Sequence, residues 1–311
     1  MRVLLIYPRY QWQEHGQFQE PLGILYIASV LLKNGIEVKF LDLSFEKYLG
    51  QLEEEIKKAD VVGMTSSTVL FSRAVYLLKK IKAIKPELPV ILGGPHATAD
   101  PLHALNAGFD YLVIGEGEKT IIELLGALEK KRVPEALPGV WMKKGKEVVQ
   151  GKAQEFIKDI DSIPFPARDL LDYPAYFSKG LLQVGIVVAR GCPFQCRFCK
   201  PMQDLLFGRK IRKRSPELVV EEISQAIQLT GRNFFLFRDD CLASLGKEWF
   251  YNFRKELEQR SLRITFSGQT RVNEIDEELL LEMKASGLVG LAFGVESGSQ
   301  KIIDYYDKKF K

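Results

Sequence analysis

The sequence predicts an α/β protein in two parts, an open flavodoxin-like (Rossmann-like) sheet followed by a partial (β/α) barrel. Three observations predict it. Over residues 1 to about 130, short apolar runs alternate with amphipathic stretches, the pattern of a parallel sheet covered by helices on both faces. From 131 to 180 that periodicity stops, and Pro134, Pro138, Pro164, Pro166 and Pro174 mark a linker. From 181 to 311 the alternation resumes as four successive βα units, which points to a barrel. With 311 residues, 46% of them hydrophobic and 27% charged, the chain can bury two ordinary cores.

In the first part the expected strands are Arg2 to Tyr7, Glu37 to Leu41, Val61 to Ser66, Val90 to Gly93 and Tyr111 to Gly115. The expected helices are Leu22 to Lys33 closed by Asn34-Gly35, Phe45 to Lys58, Ser72 to Lys85 closed by Pro86, and Thr120 to Lys130. In an open α/β sheet the ligand crevice lies outside the carboxyl ends of the strands. The loops there are Pro8-Arg9, Thr65-Ser66-Ser67-Thr68, Gly93-Gly94-Pro95-His96 and Gly115-Glu116-Gly117-Glu118. Glycines admit a ligand close to the backbone, and hydroxyls at helix N-termini can hold an anionic group, so a large polar cofactor would fit. Ordinary strand-to-helix turns use the same residues, and that reading stands beside the first. No loop carries G-x-G-x-x-G, and the acidic residues of the last one would repel a pyrophosphate, which argues against nicotinamide chemistry. For His96 a turn or hydrogen-bonding role ranks above metal ligation.

In the linker, Lys143-Lys144-Gly145-Lys146 marks a hairpin, and Ile163-Pro164-Phe165-Pro166-Ala167-Arg168 should be stiff and extended, because each proline drives its predecessor out of the helical region. No run approaches the roughly 18 apolar residues of a membrane span, and the N-terminus lacks the core and cleavage site of a signal peptide, so a cytoplasmic protein is expected. The net charge of +4 gives no global argument for nucleic acid. Arg209, Lys210, Arg212, Lys213 and Arg214 form a local basic run, read chiefly as a solvated loop.

The second part opens with an apolar strand, Gly185 to Ala189, followed at once by Gly191-Cys192-Pro193-Phe194-Gln195-Cys196-Arg197-Phe198-Cys199. Three thiolates at C-x3-C-x2-C spacing can hold three corners of a cubane iron-sulfur cluster and leave the fourth iron open. A structural zinc site is a weaker reading, since no nearby His or Cys completes a tetrahedron. A ferredoxin-like carrier would need Cys241 as fourth ligand, whereas a lone cysteine is more often a buried small hydrophobe. Four cysteines, three of them crowded together, argue for a reducing compartment rather than disulfides. After the loop come a helix begun by Ser215-Pro216-Glu217, a strand Asn233 to Arg238, a helix Lys247 to Arg260, a strand Arg263 to Ser267, a helix Glu277 to Ser286 and a strand Leu288 to Val295. Barrel chemistry sits at the carboxyl ends of the strands, which here carry the cysteines, Asp239-Asp240, Gly268-Gln269-Thr270-Arg271 and Glu296-Ser297-Gly298-Ser299. Taken singly, the carboxylates could equally be helix caps or ion-pair partners.

The segment Ala189 to Cys199, with an aromatic residue before the third cysteine, resembles the signature loop of radical S-adenosylmethionine (SAM) enzymes. Phe237-Arg238-Asp239-Asp240, Arg271 and Gly294-Val295-Glu296-Ser297-Gly298-Ser299 match as well. Together with the preceding flavodoxin-like part and the 163–168 joint, the whole chain resembles the subclass with a cobalamin-binding domain, to which class B methyltransferases belong. The resemblance implies a cobalamin domain over 1–130, a linker over 131–180 and a radical SAM barrel over 181–311 whose C-terminal part is missing. It implies a [4Fe-4S] cluster on Cys192, Cys196 and Cys199, and SAM held by Asp239, Asp240, Arg271, Glu296 and Ser297. Cobalamin would lie on Thr65, Ser66, Ser67, Gly93, Gly94, Gly115, Glu116 and Gly117. The D-x-H-x-x-G motif is absent, which implies cobalamin without a protein imidazole ligand.

The activity so implied is reductive cleavage of SAM to a 5'-deoxyadenosyl radical, used for cobalamin-dependent methylation of an unactivated carbon of a small-molecule, lipid or peptide substrate. An electron donor such as flavodoxin or ferredoxin would be its partner. A cobalamin-associated cyclase or rearrangement enzyme is the rival within the class. Methylthiotransferases of RNA fit less well, because residues 1 to 191 contain no cysteine. A non-catalytic iron-sulfur carrier and a partner-binding remnant are the rivals outside it.

Overall fold

The computed structural model describes residues 1–8, 18–135, 137–200 and 202–310, so Arg9 of the first loop lies outside the described residues. The chain forms two compact units. The first runs to Ile157 and takes up Ile163–Asp172 again; the second comprises the segment ending at Glu20, Lys158–Ser162 and everything from Tyr173.

In the first unit, β1 (Arg2–Tyr7), β2 (Glu37–Asp42), β3 (Val61–Thr65), β4 (Val90–Gly93) and β5 (Tyr111–Val113) are parallel, in the order β2-β1-β3-β4-β5. This is the flavodoxin-like order, with its switch between β1 and β3. The helices are α1 (Leu22–Lys33), α2 (Leu52–Lys58), α3 (Phe71–Ile84), α4 (Pro95–Ala99), α5 (Pro101–Asn106) and α6 (Glu118–Glu129). Side chains alternate across the strands, so Leu4, Ile6, Val62, Met64 and Leu92 join α2, α3 and α5 in one core, while α1 and α6 pack together and bury Leu25, Leu31, Leu124 and Leu125. The stretch expected as one helix from Phe45 is split: Glu46–Gln51 is a 3-10 turn, and only Leu52–Lys58 is α-helical.

The sheet continues past residue 130. A hairpin of β6 (Val140–Lys144) and β7 (Glu147–Gln150) pairs antiparallel with β5, with Gly145 turning at φ +64°. Residues 163–172 return to this unit, where Ala167 N–H donates to the Leu25 carbonyl at 3.2 Å. Prolines interrupt the periodicity here without interrupting the packing, which is why a pattern-based reading ends the unit early.

The second unit carries α7 (Tyr173–Ser178), β8 (Val184–Ile186), β9 (Ala189–Arg190), α8 (Met202–Leu206), β10 (Arg212–Lys213), α9 (Pro216–Thr230), β11 (Phe234–Phe237), α10 (Lys247–Gln259), β12 (Thr265–Thr270), α11 (Glu277–Ala285), β13 (Leu288–Phe293) and α12 (Gln300–Tyr305). Strands β8, β11, β12 and β13 lie side by side and parallel in that order, an open part of a (β/α) barrel. Proline at the first position starts α9, and Gly231 in left-handed backbone at φ +66° ends it. Val219 and Ile223 of α9, Phe250 and Phe253 of α10 and Met283 of α11 cover one face of the sheet against Phe235, Phe237 and Phe266. Phe237 and Phe266 stack at 4.4 Å, and each such buried side chain is worth about 1.5–3 kcal/mol. The strand expected to run to Ala189 leaves the sheet after Ile186: Ala189 and Arg190 instead pair antiparallel with Lys213 and Arg212.

Candidate active site

Gly191 opens the cysteine loop at φ +98°, where a Cβ would meet the Lys210 carbonyl oxygen at 2.3 Å, so only glycine fits. Cys192 N–H then donates to Gly208 O at 3.2 Å. Cys199 and Lys200 N–H both return to the Cys196 carbonyl, a turn that leads into α8. Cys192 is half-buried, Cys196 buried and Cys199 exposed. Burial, with Asp240 and the sulfurs of Cys241 and Cys199 close by, pushes the Cys192 thiol up to about 11. Burial likewise raises Cys199, with Asp240 and Cys196 adding to it. Cys241 is buried, its sulfur 3.3 Å from Thr270 Oγ1, a packed and hydrogen-bonded thiol.

Three thiols within nine residues, with the Arg271 guanidinium beside Cys196, fit the donor set and charge of an iron-sulfur cluster. The loop does not gather the sulfurs onto one point: among the described residues no three His, Cys, Asp or Glu converge as ligands. A cluster held by Cys192, Cys196 and Cys199 would take them as thiolates, displacing their protons.

Arg271 follows β12 and is buried, with every donor nitrogen engaged. Nε donates to Asn273 Oδ1 at 3.3 Å, Nη1 to Cys196 Sγ at 3.0 Å and Nη2 to the Lys308 carbonyl, and the guanidinium lies 4.0 Å from the Phe194 ring centre. After β13, Glu296 adopts left-handed backbone at φ +66° and pairs with Lys308 at 2.7 Å. Ser297 Oγ accepts from Ser299 N–H at 3.1 Å. Asp240, after β11, accepts from Gln203 Nε2 at 2.5 Å, which ties it to the helix below the cysteines. The cysteine loop, Asp240, Arg271 and Glu296 thus follow the carboxyl ends of neighbouring parallel strands.

Asp239 differs from its expected place. It is 3% exposed and turned inward, accepting from the N–H groups of Val188 and Ala189, so it braces the chain entering the cysteine loop. Burial pushes it up to about 7. The basic run is solvated in part, as expected: Arg209, Lys210 and Lys213 are exposed, but four of its five cations also hold partners. Arg209 pairs with Asp204, Arg212 holds Phe207 O, Lys213 holds Leu245 O, and the buried Arg214 pairs with the buried Glu222. These cations fasten the loop and its neighbours.

A cavity of about 640 Å³ opens on the barrel's inner face. Leu236 and Arg238 of β11 and its end, Ser267 and Gln269 of β12, and Gly290 and Ala292 of β13 line it. The sequence reading placed Arg238 and Gln269 in strand-end motifs but did not single out Leu236, Ser267, Gly290 or Ala292. Their signal is the strand alternation, which turns Phe235, Phe237 and Phe266 to the core and the small or polar residues between them inward.

In the first unit, residues of the expected cobalamin edge alternate between half-exposed and buried. Thr65, Ser67, Gly93, Gly94, Gly115 and Gly117 are half-exposed at the carboxyl ends of β3, β4 and β5. A Cβ on Gly94, at φ +86°, would meet Thr65 Oγ1 at 2.4 Å. Ser66 and Glu116 face inward: Ser66 Oγ bonds to Ser67 O, and the Glu116 carboxylate accepts from Ile157 N–H at 2.8 Å. The shelf of small residues fits a broad polar ligand lying on the sheet edge. His96 is buried, donates its N–H to Ser66 O and places Nδ1 3.2 Å from Thr68 Oγ1, and burial lowers its pKa.

A flavodoxin-like unit with a small-residue shelf, joined in sequence to parallel βα units opening on three cysteines, defines a class that comparison with known proteins makes specific. Residues 14–125 match the B12 binding domain and residues 186–311 the radical SAM superfamily. An uncharacterized methyltransferase, PH0819 of Pyrococcus horikoshii, is 32% identical over 99% of this chain and 68% of its own length. The anaerobic magnesium-protoporphyrin IX monomethyl ester cyclase of Cereibacter sphaeroides is 30% identical over 99% of this chain and 52% of its own. The radical SAM methyltransferase TsrM of Kitasatospora setae, solved with cobalamin and a [4Fe-4S] cluster, shares the fold at a TM-score of 0.81 and 19% identity, over 98% of this chain and 60% of that one. The chain belongs to the radical SAM proteins that carry a B12-binding domain. It spans about half to two thirds of the length of these relatives.

Proposed function

We propose that this chain belongs to an enzyme that reductively cleaves SAM and methylates an unactivated carbon of a small-molecule, lipid or peptide substrate. The observation that carries the reading is the arrangement of Cys192, Cys196 and Cys199 at the end of β8 with Arg271 against Cys196, in a chain that also has the small-residue shelf. When bound, a [4Fe-4S] cluster supplies the electron that splits SAM into a 5'-deoxyadenosyl radical and methionine, and cobalamin supplies a methyl carrier. The three cysteines hold the cluster. Arg271 receives the methionyl carboxylate, Asp240, Glu296 and Ser297 hold the ribose or amino group, and Asp239 acts through the loop that it braces. Residues 1–130 bind cobalamin over Thr65, Ser66, Ser67, Gly93, Gly94, Gly115, Glu116 and Gly117, with Ser66 and Glu116 supporting the shelf from beneath. The hairpin and joint of 131–180 lead to the barrel of 181–311, where Ser267, Gln269 and Gly290 offer the substrate a polar, uncrowded wall.

Flavodoxin or ferredoxin is the proposed electron source, and the cytoplasm the proposed compartment. No helix among the described residues is long and apolar enough to cross a membrane. The cyclase relative at 30% identity supports cobalamin-associated ring closure as the second reading. The test is anaerobic reconstitution with cobalamin and SAM labelled in its methyl group. Bound corrinoid and label carried into a product are expected under the first reading. Corrinoid binding with 5'-deoxyadenosine formed and no label transferred would favour the second.

A further inference from the structure

We propose that Lys308 is a positioning residue of the SAM site, holding Glu296 and Arg271 in one geometry; this rests on the reading of that site above. Lys308 is 3% exposed, unusual for a lysine, and every group it offers meets the rim. Its ammonium donates to Glu296 Oε1 at 2.7 Å and to the Gly294 carbonyl at 2.6 Å, and lies 5.7 Å from the Phe198 ring centre in the cysteine loop. Its own carbonyl accepts from Arg271 Nη2. One residue therefore joins the ends of β12 and β13.

Glu296 sits in left-handed backbone that a side chain rarely adopts, so something must hold it there. The ion pair does so from the lysine's side: Lys308 is buried and its ammonium, with few other partners, holds the carboxylate of Glu296, which is itself exposed. Gly294 is part of the device: a Cβ there would meet Glu296 Oε1 at 2.8 Å and Lys308 Nζ at 3.1 Å. Without the Lys308 ammonium, Glu296 loses its anchor, and the residue-308 carbonyl that accepts from Arg271 Nη2 is no longer tied through that side chain to Gly294 and Glu296. Both residues are then free to take positions that do not match SAM.

The test uses the full-length, cluster-loaded enzyme and reads SAM binding as the change that SAM causes in the electron paramagnetic resonance spectrum of the reduced cluster. Lys308→Met should keep the wild-type iron content and thermal midpoint yet need at least tenfold more SAM for half-maximal change. Lys308→Arg, which keeps a cation beside Glu296, should restore much of the SAM response that Lys308→Met loses. A Lys308→Met enzyme that binds SAM as wild type does overturns the proposal. So does a loss of SAM response that only follows falling iron content and stability, without rescue by arginine. If Lys308→Met does not fold, Gly294→Ala, which wedges the ion pair apart, must give the same tenfold loss or the proposal fails. A wild-type cluster indifferent to SAM would instead remove the reading beneath it, before any variant is made.

Discussion

The guanidinium of Arg271 lies 3.0 Å from the sulfur of Cys196, joining the end of β12 to the middle cysteine of the loop after β8. A hydrogen bond from a charged donor is worth about 1.5–3 kcal/mol, which is tenfold to about a hundredfold in an equilibrium constant. Arg271→Ala should weaken SAM binding by that factor while iron is still incorporated. SAM titration of the reconstituted protein, with iron analysis, checks it. Unchanged affinity would remove Arg271 from the site.

Gly191→Ala should cost more than an ordinary surface change. The added methyl would meet Lys210 O at 2.3 Å in backbone at φ +98°, and such strain costs on the order of 1–3 kcal/mol. The loop would have to shift, so iron bound per chain after reconstitution should fall well below wild type. Full incorporation would show that the loop tolerates the displacement.

On the shelf, Gly94→Val should separate the two cofactors. Its side chain would collide with Thr65 Oγ1 and crowd Ser66 N. Corrinoid retained after gel filtration, read from its visible spectrum, should drop sharply, while 5'-deoxyadenosine production persists. Undiminished corrinoid would move the cobalamin site elsewhere.

Asp239 predicts a pH dependence. Burial raises it from an ordinary value of 3.8 to about 7, opposed by the Val188 and Ala189 amides and Arg214 and assisted by Asp240. A folded-state pKa above the unfolded value gives stability fully present below about 4 and lost as pH rises through about 7, at most about 4 kcal/mol. Asp239→Asn keeps an oxygen for the two amides and cannot ionise. Its denaturation midpoint should lie flatter than that of wild type between pH 5 and 8; parallel curves would count against a raised Asp239.

Strand order, the glycine-rich loop ends and the cysteine loop were legible in the sequence, because apolar periodicity and short spacing are local properties. The inward turns of Glu116 and Asp239 were not. Their partners, Ile157 for one and Val188 with Ala189 for the other, lie about 40 to 50 residues away, and nothing in a strand-end motif says whether a carboxylate meets a ligand or a distant amide. Lys308 carries no local signal either: it follows Tyr305-Tyr306-Asp307 as one lysine among several, and its role comes from Gly294 and Glu296 on another element. The hairpin at 140–150 was visible as a turn, but its pairing to β5 is a long-range event.

The central claim is that Cys192, Cys196 and Cys199 seat a cluster that cleaves SAM. The most direct measurement is 5'-deoxyadenosine released by anaerobically reconstituted, chemically reduced full-length protein, beside variants with each cysteine replaced by alanine. The account predicts product from wild type and none above background from any of the three variants. No product from a cluster-loaded wild type, or undiminished product from a variant lacking one of these thiols, would contradict it.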